Sequence, residues 1–130
     1  MGPLDREFKR ILVVEDHDFT RDLIVQQLTQ LGFRQVDQAA SGPEALTKLD
    51  PFPPDVVICD INMKPMTGFE FVKTMKARVG REWNVPVIFL TAHANPELVK
   101  KARELGVTNY LVKPTDKATL SQRIDRALAG

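Results

Sequence analysis

The chain has 130 residues, a formal charge of +1 from 18 basic and 17 acidic side chains, and 43% apolar against 27% charged residues. That makeup suits one soluble globular domain, able to bury roughly two thirds of the surface its unfolded form exposes. The even charge balance argues against direct nucleic-acid binding, the apolar runs are too short for membrane insertion, and a single cysteine excludes an internal disulfide and fits a cytoplasmic setting.

In chain order, residues 1–8 lack the apolar centre of a secretory signal. They are read as an N-terminal extension of the kind cloning leaves, without function, and residues 9–130 as the domain. The run ILVV at 11–14 is the first expected strand, and Phe19, Leu23, Leu28 and Leu31 then fall at helical spacing. Gly32 follows the last of them, where a left-handed helix cap is wanted. VDQAA at 36–40 is a second, more polar strand, which belongs at a sheet edge. Ser41 through Glu44 spell a capping box before the next helix.

DVVIC at 55–59 is the third strand, and Thr67 through Glu70 form another capping box. The helix that box opens carries Val72, Met75 and Val79 on one face. PVIFL at 86–90 is the fourth strand, and Asn95–Pro96 places an N-cap before a first-turn proline. Leu98, Ala102 and Leu105 make the face of that helix, and Gly106 ends it. NYLV at 109–112 and a helix bearing Leu120, Ile124 and Leu128 complete the chain. Three strands are unbroken apolar runs, as strands read when helices cover both faces of a parallel sheet. Strand and helix alternate five times, which predicts an α/β fold with right-handed crossovers and a ligand site beyond the carboxyl ends of the strands.

The residues that close the strands are chemically selected. Glu15 and Asp16 follow the first strand, Asp60 the third, Thr91 the fourth and Lys113 the fifth. Three converging carboxylates repel one another, and a divalent cation resolves the conflict. Mg²⁺ fits best, with Mn²⁺ as a substitute, because it takes oxygen ligands and keeps several waters. Asp60 is then placed to attack phosphorus and form an acyl phosphate. Lys113 supplies a positive charge opposite it, and the Thr91 hydroxyl and Ala92 amide supply donors to phosphoryl oxygens. Considered alone, Glu15, Asp16 and Asp18 also read as a solvated turn in which Asp16 or Asp18 caps the first helix.

The ordered set Glu15-Asp16, Asp60, Thr91-Ala92 and Lys113-Pro114 resembles the receiver domain of bacterial two-component response regulators, including the chemotaxis-type single-domain regulators. The resemblance spans roughly residues 9 to 128. It implies a flavodoxin-like, doubly wound (βα)5 domain with strand order 2-1-3-4-5. It further implies that Asp60 is a phosphoacceptor for a histidine kinase or phosphotransfer protein. Asp16 and Asp60 would bind Mg²⁺ directly, Glu15 through water, and Asn62 through its backbone carbonyl. The Lys113–Pro114 peptide would be cis.

The resemblance also implies a switch, in which Tyr110 turns inward as the Thr91 hydroxyl moves toward the phosphoryl group. The surface of the fourth helix, fifth strand and fifth helix then changes, making Lys100, Lys101, Glu104 and Tyr110 the expected partner surface for a downstream protein. The chain would be a monomer or a weak dimer through that face, stand-alone or excised from a longer protein. Asn62 and His93 stand where receivers tune the lifetime of the acyl phosphate, His93 reading equally as a plain surface histidine. His17 is given no role, and neither histidine is expected to be a metal ligand. Cys59 is expected in the core, and Trp83 is expected to cover the edge of the sheet.

The pattern departs from the family at three places. Lys64 stands where receivers have proline, with Pro65 displaced by one position; Thr67 replaces a common aspartate; and Thr115 replaces a bulky residue, predicting looser packing under the last helix. Lys64 and the shifted proline support a second reading, a pseudo-receiver that binds partners without being phosphorylated. A haloacid-dehalogenase-type phosphatase needs a general acid two residues after its nucleophile, where this chain has Asn62. A dinucleotide-binding fold needs glycines after the first strand, where EDHDFTRD is acidic. The expectation is therefore a signalling phosphoacceptor rather than an enzyme.

Overall fold

The computed structural model describes residues 3–49, 53–79 and 85–129. A 3₁₀ helix (Pro3–Phe8) leads into β1 (Arg10–Val14), α1 (Asp18–Gln30), β2 (Gln35–Ala39), α2 (Gly42–Leu49) and β3 (Val56–Asp60). α3 (Gly68–Val79), β4 (Val87–Thr91), α4 (Pro96–Glu104), β5 (Asn109–Val112) and α5 (Lys117–Ala129) follow. The five strands pair in parallel in the order β2-β1-β3-β4-β5. This is the doubly wound flavodoxin-like arrangement, with the polar strand β2 at an edge.

Strand alternation explains why the central strands are apolar throughout. Ile11 and Val13 of β1, Val56 and Ile58 of β3, and Ile88 and Leu90 of β4 pack toward Ile24 and Leu28 of α1 and Leu120 and Ile124 of α5. Their neighbours Leu12, Val14, Val57, Cys59, Val87 and Phe89 pack toward α2, α3 and α4 on the opposite side. A side-chain period of two thus divides each strand between two cores.

The helix ends follow the local chemistry. The Ser41 hydroxyl accepts from the Glu44 amide at 3.2 Å, and Thr67 and Glu70 satisfy each other's amides at 3.1 and 2.9 Å. The Asn95 side chain accepts from the Leu98 amide at 3.0 Å, with Pro96 in the first turn of α4. Gly32 and Gly106 take positive φ values of 100° and 81°, as their cap positions require.

Two expectations need correction here. Phe19 does not join the buried face of α1: it is 83% exposed, and Ile24 with Leu28 forms the core stripe one residue out of phase with Leu23. Neither Asp16 nor Asp18 caps α1. The N-cap is His17, whose side chain makes no capping hydrogen bond. The side chain of Val79, and Trp83 altogether, lie outside the described residues.

The 3₁₀ segment is fastened to the domain through Arg6, which sequence reasoning did not anticipate. Its guanidinium donates to the Leu31 carbonyl at 2.8 Å and to the Ser121 hydroxyl at 2.7 Å, pairs with Asp125 at 3.2 Å, and lies 5.1 Å from the centroid of the Phe33 ring. At the other end of the sheet, Thr115 and Gln27 exchange hydrogen bonds of 2.6 and 2.9 Å. The smaller residue after Lys113–Pro114 therefore ties α1 to the β5–α5 connection through polar groups.

Candidate functional site

The pleat that divides the two cores also decides which polar side chains meet. Val14 pairs with Cys59, so Glu15 and Asp60 lie one step further along adjacent strands. By alternation Glu15 continues the Ile11 and Val13 face, Asp60 the Ile58 face, and Lys113 the Leu111 face. These three chain positions therefore project to the same side at the carboxyl edge. The Lys113 ammonium bridges them, 2.8 Å from Glu15 Oε1 and 3.1 Å from Asp60 Oδ1.

Glu15 and Asp60 are buried to 0% and 1% exposure. Burial pushes the Glu15 carboxyl up, but the Lys113 hydrogen bond, the His17 amide and the Lys113 charge outweigh it and leave Glu15 below its ordinary value. Asp60 goes the other way. Burial, and next the Glu15 charge, push it from 3.8 up to about 6, against the pull of Lys113. Burial alone would make Lys113 easier to deprotonate, but its hydrogen bond to Glu15 and the charges of Asp60 and Glu15 raise it instead.

Asp60 Oδ2 is buried and has no hydrogen-bond partner among the described residues. Asp60 Oδ1, by contrast, receives Lys113 and stands 3.4 Å from the Asn62 amide. Asp16 completes the acidic group, and its Oδ1 lies 3.1 Å from His17 Nδ1. Glu15, Asp16, His17 and Asp60 each offer a ligand atom, all within 4.8 Å of one another. Three carboxylates against one lysine leave a formal charge of −2 when all are ionised, which a divalent cation balances. An oxygen-rich cluster in which Glu15 Oε1, Asp16 Oδ1 and Asp60 Oδ2 are buried without hydrogen-bond partners among the described residues, the last without an ion-pair neighbour either, fits Mg²⁺. His17, to which the sequence reading gives no role, is the fourth member of this group by position.

The backbone around Asp60 is tightly fixed. The Gly68 amide donates to the Ile61 carbonyl at 2.8 Å, closing the β3–α3 turn. A Cβ on Gly68 would come within 2.4 Å of the Asp60 carbonyl oxygen and 2.9 Å of Ile61 Cα. Both Lys64–Pro65 and Lys113–Pro114 are cis peptides, and Lys64 is exposed. Cys59 points into the opposite core, where burial pushes its thiol well above the ordinary range. An inert core thiol is the result.

Thr91 and Tyr110 belong to the other side of the sheet. Phe89, two residues before Thr91, packs in the α2–α3–α4 core, and half-buried Tyr110 packs against that core. The Thr91 hydroxyl does not reach Asp60; it donates to the His93 carbonyl at 2.9 Å and accepts from the His93 amide at 3.2 Å. An apolar crevice lies between Thr91 and Tyr110, walled by Ile61, Phe89, Leu98 and Ala102. Ala92 and His93 are exposed on the β4–α4 loop, and Asn62 is exposed beside Asp60. Lys100, Lys101 and Glu104 are exposed on α4, with the Lys101 ammonium 5.5 Å from the centroid of the Phe69 ring. No helix of the described residues is long and apolar enough to cross a membrane.

A five-stranded doubly wound sheet with an acidic, lysine-bridged centre at its carboxyl edge defines a flavodoxin-like α/β domain of the receiver class. The family model described as the response regulator receiver domain matches residues 11–125, and the chain belongs to that family. Chemotaxis protein CheY-3 of Vibrio cholerae is 34% identical over 117 residues, covering 90% of this chain and 89% of that protein. The solved structure of Vibrio cholerae CheY4 at low pH superposes with a TM-score of 0.85 at 36% identity, over 92% of this chain and 98% of that one. A chain of the CheX–CheY–BeF3–Mg complex from Borrelia burgdorferi matches with a TM-score of 0.84 at 29% identity, over 97% of both chains.

Proposed function

We propose that the protein is a phosphoacceptor of two-component signalling, in which Asp60 takes a phosphoryl group from a histidine kinase or phosphotransfer protein. The observation that carries this reading is the division of labour between the two Asp60 oxygens. Oδ1 is held by Lys113, while Oδ2 is buried and unengaged. Oδ2 would attack phosphorus, forming the acyl phosphate O–P bond as the phosphorus–nitrogen bond of a donor phosphohistidine breaks and its electrons return to the imidazole. Mg²⁺ bound by Asp16, Asp60, the Asn62 carbonyl and, through water, Glu15 would neutralise charge on the transferring group. Lys113 balances charge on the same side, and the Ala92 amide supplies a further donor. The CheX–CheY complex with BeF3 and Mg is in keeping with this chemistry in a relative.

The output would run through the opposite face. A phosphoryl group on Asp60 gives the Thr91 hydroxyl an acceptor that competes with the His93 carbonyl. Its departure opens the crevice to the Tyr110 ring, which changes the surface formed with Lys100, Lys101 and Glu104. A downstream protein would read that change, and Asn62 and His93 would set how long it lasts. In this role the protein turns over no external substrate beyond its own phosphorylation and dephosphorylation.

Incubation with Mg²⁺ and a small phosphodonor such as phosphoramidate, followed by intact-mass measurement, tests the reading. One added phosphoryl group, absent in Asp60→Asn and in the presence of EDTA, is expected. No mass gain in the wild type would overturn it in favour of the pseudo-receiver.

A further inference from the structure

Building on the proposed reading of the centre as a metal-assisted phosphoacceptor site, we propose that Arg21 is its positioning residue. Its guanidinium clamps the β1–α1 loop in the shape that binds Mg²⁺, from outside the acidic group. The loop begins at Glu15, whose amide ends the pairing with β2 by donating to the Ala39 carbonyl at 3.0 Å, and it meets α1 at Asp18. Two of the three carboxylates, Glu15 and Asp16, therefore stand on one short span between strand and helix.

Arg21 closes that span. Nη1 donates to the Glu15 carbonyl at 2.8 Å and Nη2 to Asp18 Oδ1 at 2.6 Å, so one planar fork joins the first residue of the loop to the first residue of the helix. Nε donates to Gln38 Oε1 at 3.2 Å, which ties the fork to β2. That anchor is itself held. The Gln38 amide donates to Asp37 Oδ1 at 2.8 Å, its carbonyl accepts from the Lys48 ammonium, and Lys48 pairs with Asp37 at 3.2 Å. The Arg21 side chain is 15% exposed and that of Asp18 85%. An exposed pair of that kind contributes little, so the bond to the Glu15 carbonyl is the one that fixes the loop.

The sign of the effect on Mg²⁺ separates a clamp from a bystander charge. A cation near a Mg²⁺ site opposes the ion, so an Arg21 acting through its field alone would, once removed, tighten Mg²⁺ binding. A clamp acts in the opposite direction. Freeing the loop leaves Glu15 and Asp16 in register for only a fraction of the time, and the apparent affinity falls by that fraction. Loss of a supporting hydrogen-bond partner costs a metal site roughly 10–100-fold. Arg21 holds the backbone of a ligand residue rather than its carboxylate, which places it at the lower end, about tenfold. Lysine keeps the charge but loses the fork, so it does not replace arginine here.

The test is Mg²⁺ titration of the full chain by calorimetry at pH 7.5, comparing wild type with Arg21→Met and Arg21→Lys. Both variants should bind Mg²⁺ about tenfold more weakly. Phosphoryl uptake from phosphoramidate, read by intact mass, should recover when Mg²⁺ is raised in proportion, as expected for weakened ion binding with the chemistry intact. Amide hydrogen exchange in EDTA supplies a metal-free reading. The His17 amide, 3.2 Å from Glu15 Oε2, should accelerate by a larger factor than amides of β1 and β3, which report global unfolding and so separate a loosened loop from a lost fold. Equal or tighter Mg²⁺ binding by Arg21→Met, wild-type affinity in Arg21→Lys, or a His17 amide that accelerates no more than the strands overturns the clamp alone. No Mg²⁺ uptake and no mass gain by the wild type overturns the reading of the centre on which the clamp depends.

Discussion

Asp60→Asn should stabilise the metal-free protein at neutral pH, because the native carboxylate is held where ionisation is unfavourable. Burial, and next the Glu15 charge, raise Asp60 from 3.8 to about 6. The folded state therefore keeps a proton that the unfolded chain has already released between those two values. Stability falls as pH rises through that window, and the whole penalty is present above pH 6. At ~1.36 kcal/mol per pH unit, the interval from 3.8 to about 6 sets a ceiling of about 3 kcal/mol. Asparagine removes the penalty but also takes one of two carboxylate partners from Lys113. The net gain expected at pH 7.5 is therefore ~1–2 kcal/mol, or roughly 4–8 °C in Tm for a domain of this size. Glu15, whose depressed pKa stabilises the fold above 4.5, is present in both proteins and cancels to first order.

The assay is urea or thermal unfolding in EDTA from pH 4 to 8. The advantage of the variant should shrink toward zero as pH falls to 4. A variant no more stable than wild type at pH 7.5, or equally favoured at pH 4, would refute the electrostatic account. Mg²⁺ supplies a second arm, since an ion bound only by the folded state adds ~2.7 kcal/mol at 100 times its Kd. Wild type should gain in Mg²⁺, and Asp60→Asn should gain much less.

Three further substitutions test the turn beneath Asp60, its lysine partner and the Arg6 clasp. Gly68→Ala places a Cβ 2.4 Å from the Asp60 carbonyl oxygen, so the turn must move; stability should drop by ~1–3 kcal/mol in urea unfolding, and the rate of phosphoryl uptake should fall with it. Lys113→Met leaves Glu15 and Asp60 facing each other without their shared cation, and should abolish acyl phosphate formation by intact mass while lowering stability at pH 7.5 by about 2 kcal/mol. Arg6→Ala removes the bonds to Leu31 and Ser121 and the Asp125 pair, so a loss of ~1–2 kcal/mol is expected, with phosphorylation unchanged.

The order of elements was legible because both signals behind it are local. Unbroken apolar runs such as ILVV and VIFL report strands covered on two sides, and Asn95–Pro96 and Gly106 mark the ends of a helix. Glu15, Asp60 and Lys113 were legible as strand-end residues, since strand alternation alone sets the side each one faces. Phe19 misled because a helical period counted from Leu23 and a period counted from Ile24 both fit a short helix, and only packing against β1 and β3 selects the second. The place of the His17 ring beside Glu15 and Asp16 was not legible, because it depends on an N-cap conformation that leaves the ring unused by the helix, which no spacing rule encodes. Arg6 binds partners 25 to 119 residues away, so nothing near it in sequence announces the clasp.

In the proposed reading, the two parities of the sheet also separate the chemistry from its output. Glu15, Asp60 and Lys113 project with the α1–α5 face, while Thr91 and Tyr110 belong to the α2–α3–α4 side. A bond made at Asp60 cannot act on Tyr110 through direct contact between side chains on one face. It must act at the carboxyl edge, where β4 ends and the backbone turns. Thr91 stands at that edge, paired through the sheet with Val112 and bonded through its carbonyl to the Lys113 amide at 2.8 Å. In the proposed reading this makes Thr91 the one side chain able to leave the His93 carbonyl on one side and meet a phosphoryl oxygen on the other. Thr91→Ala should then leave phosphoryl uptake on Asp60 in place while uncoupling it from any change in Tyr110 fluorescence; retention of a phosphorylation-dependent Tyr110 signal in that variant would show that the message takes another route.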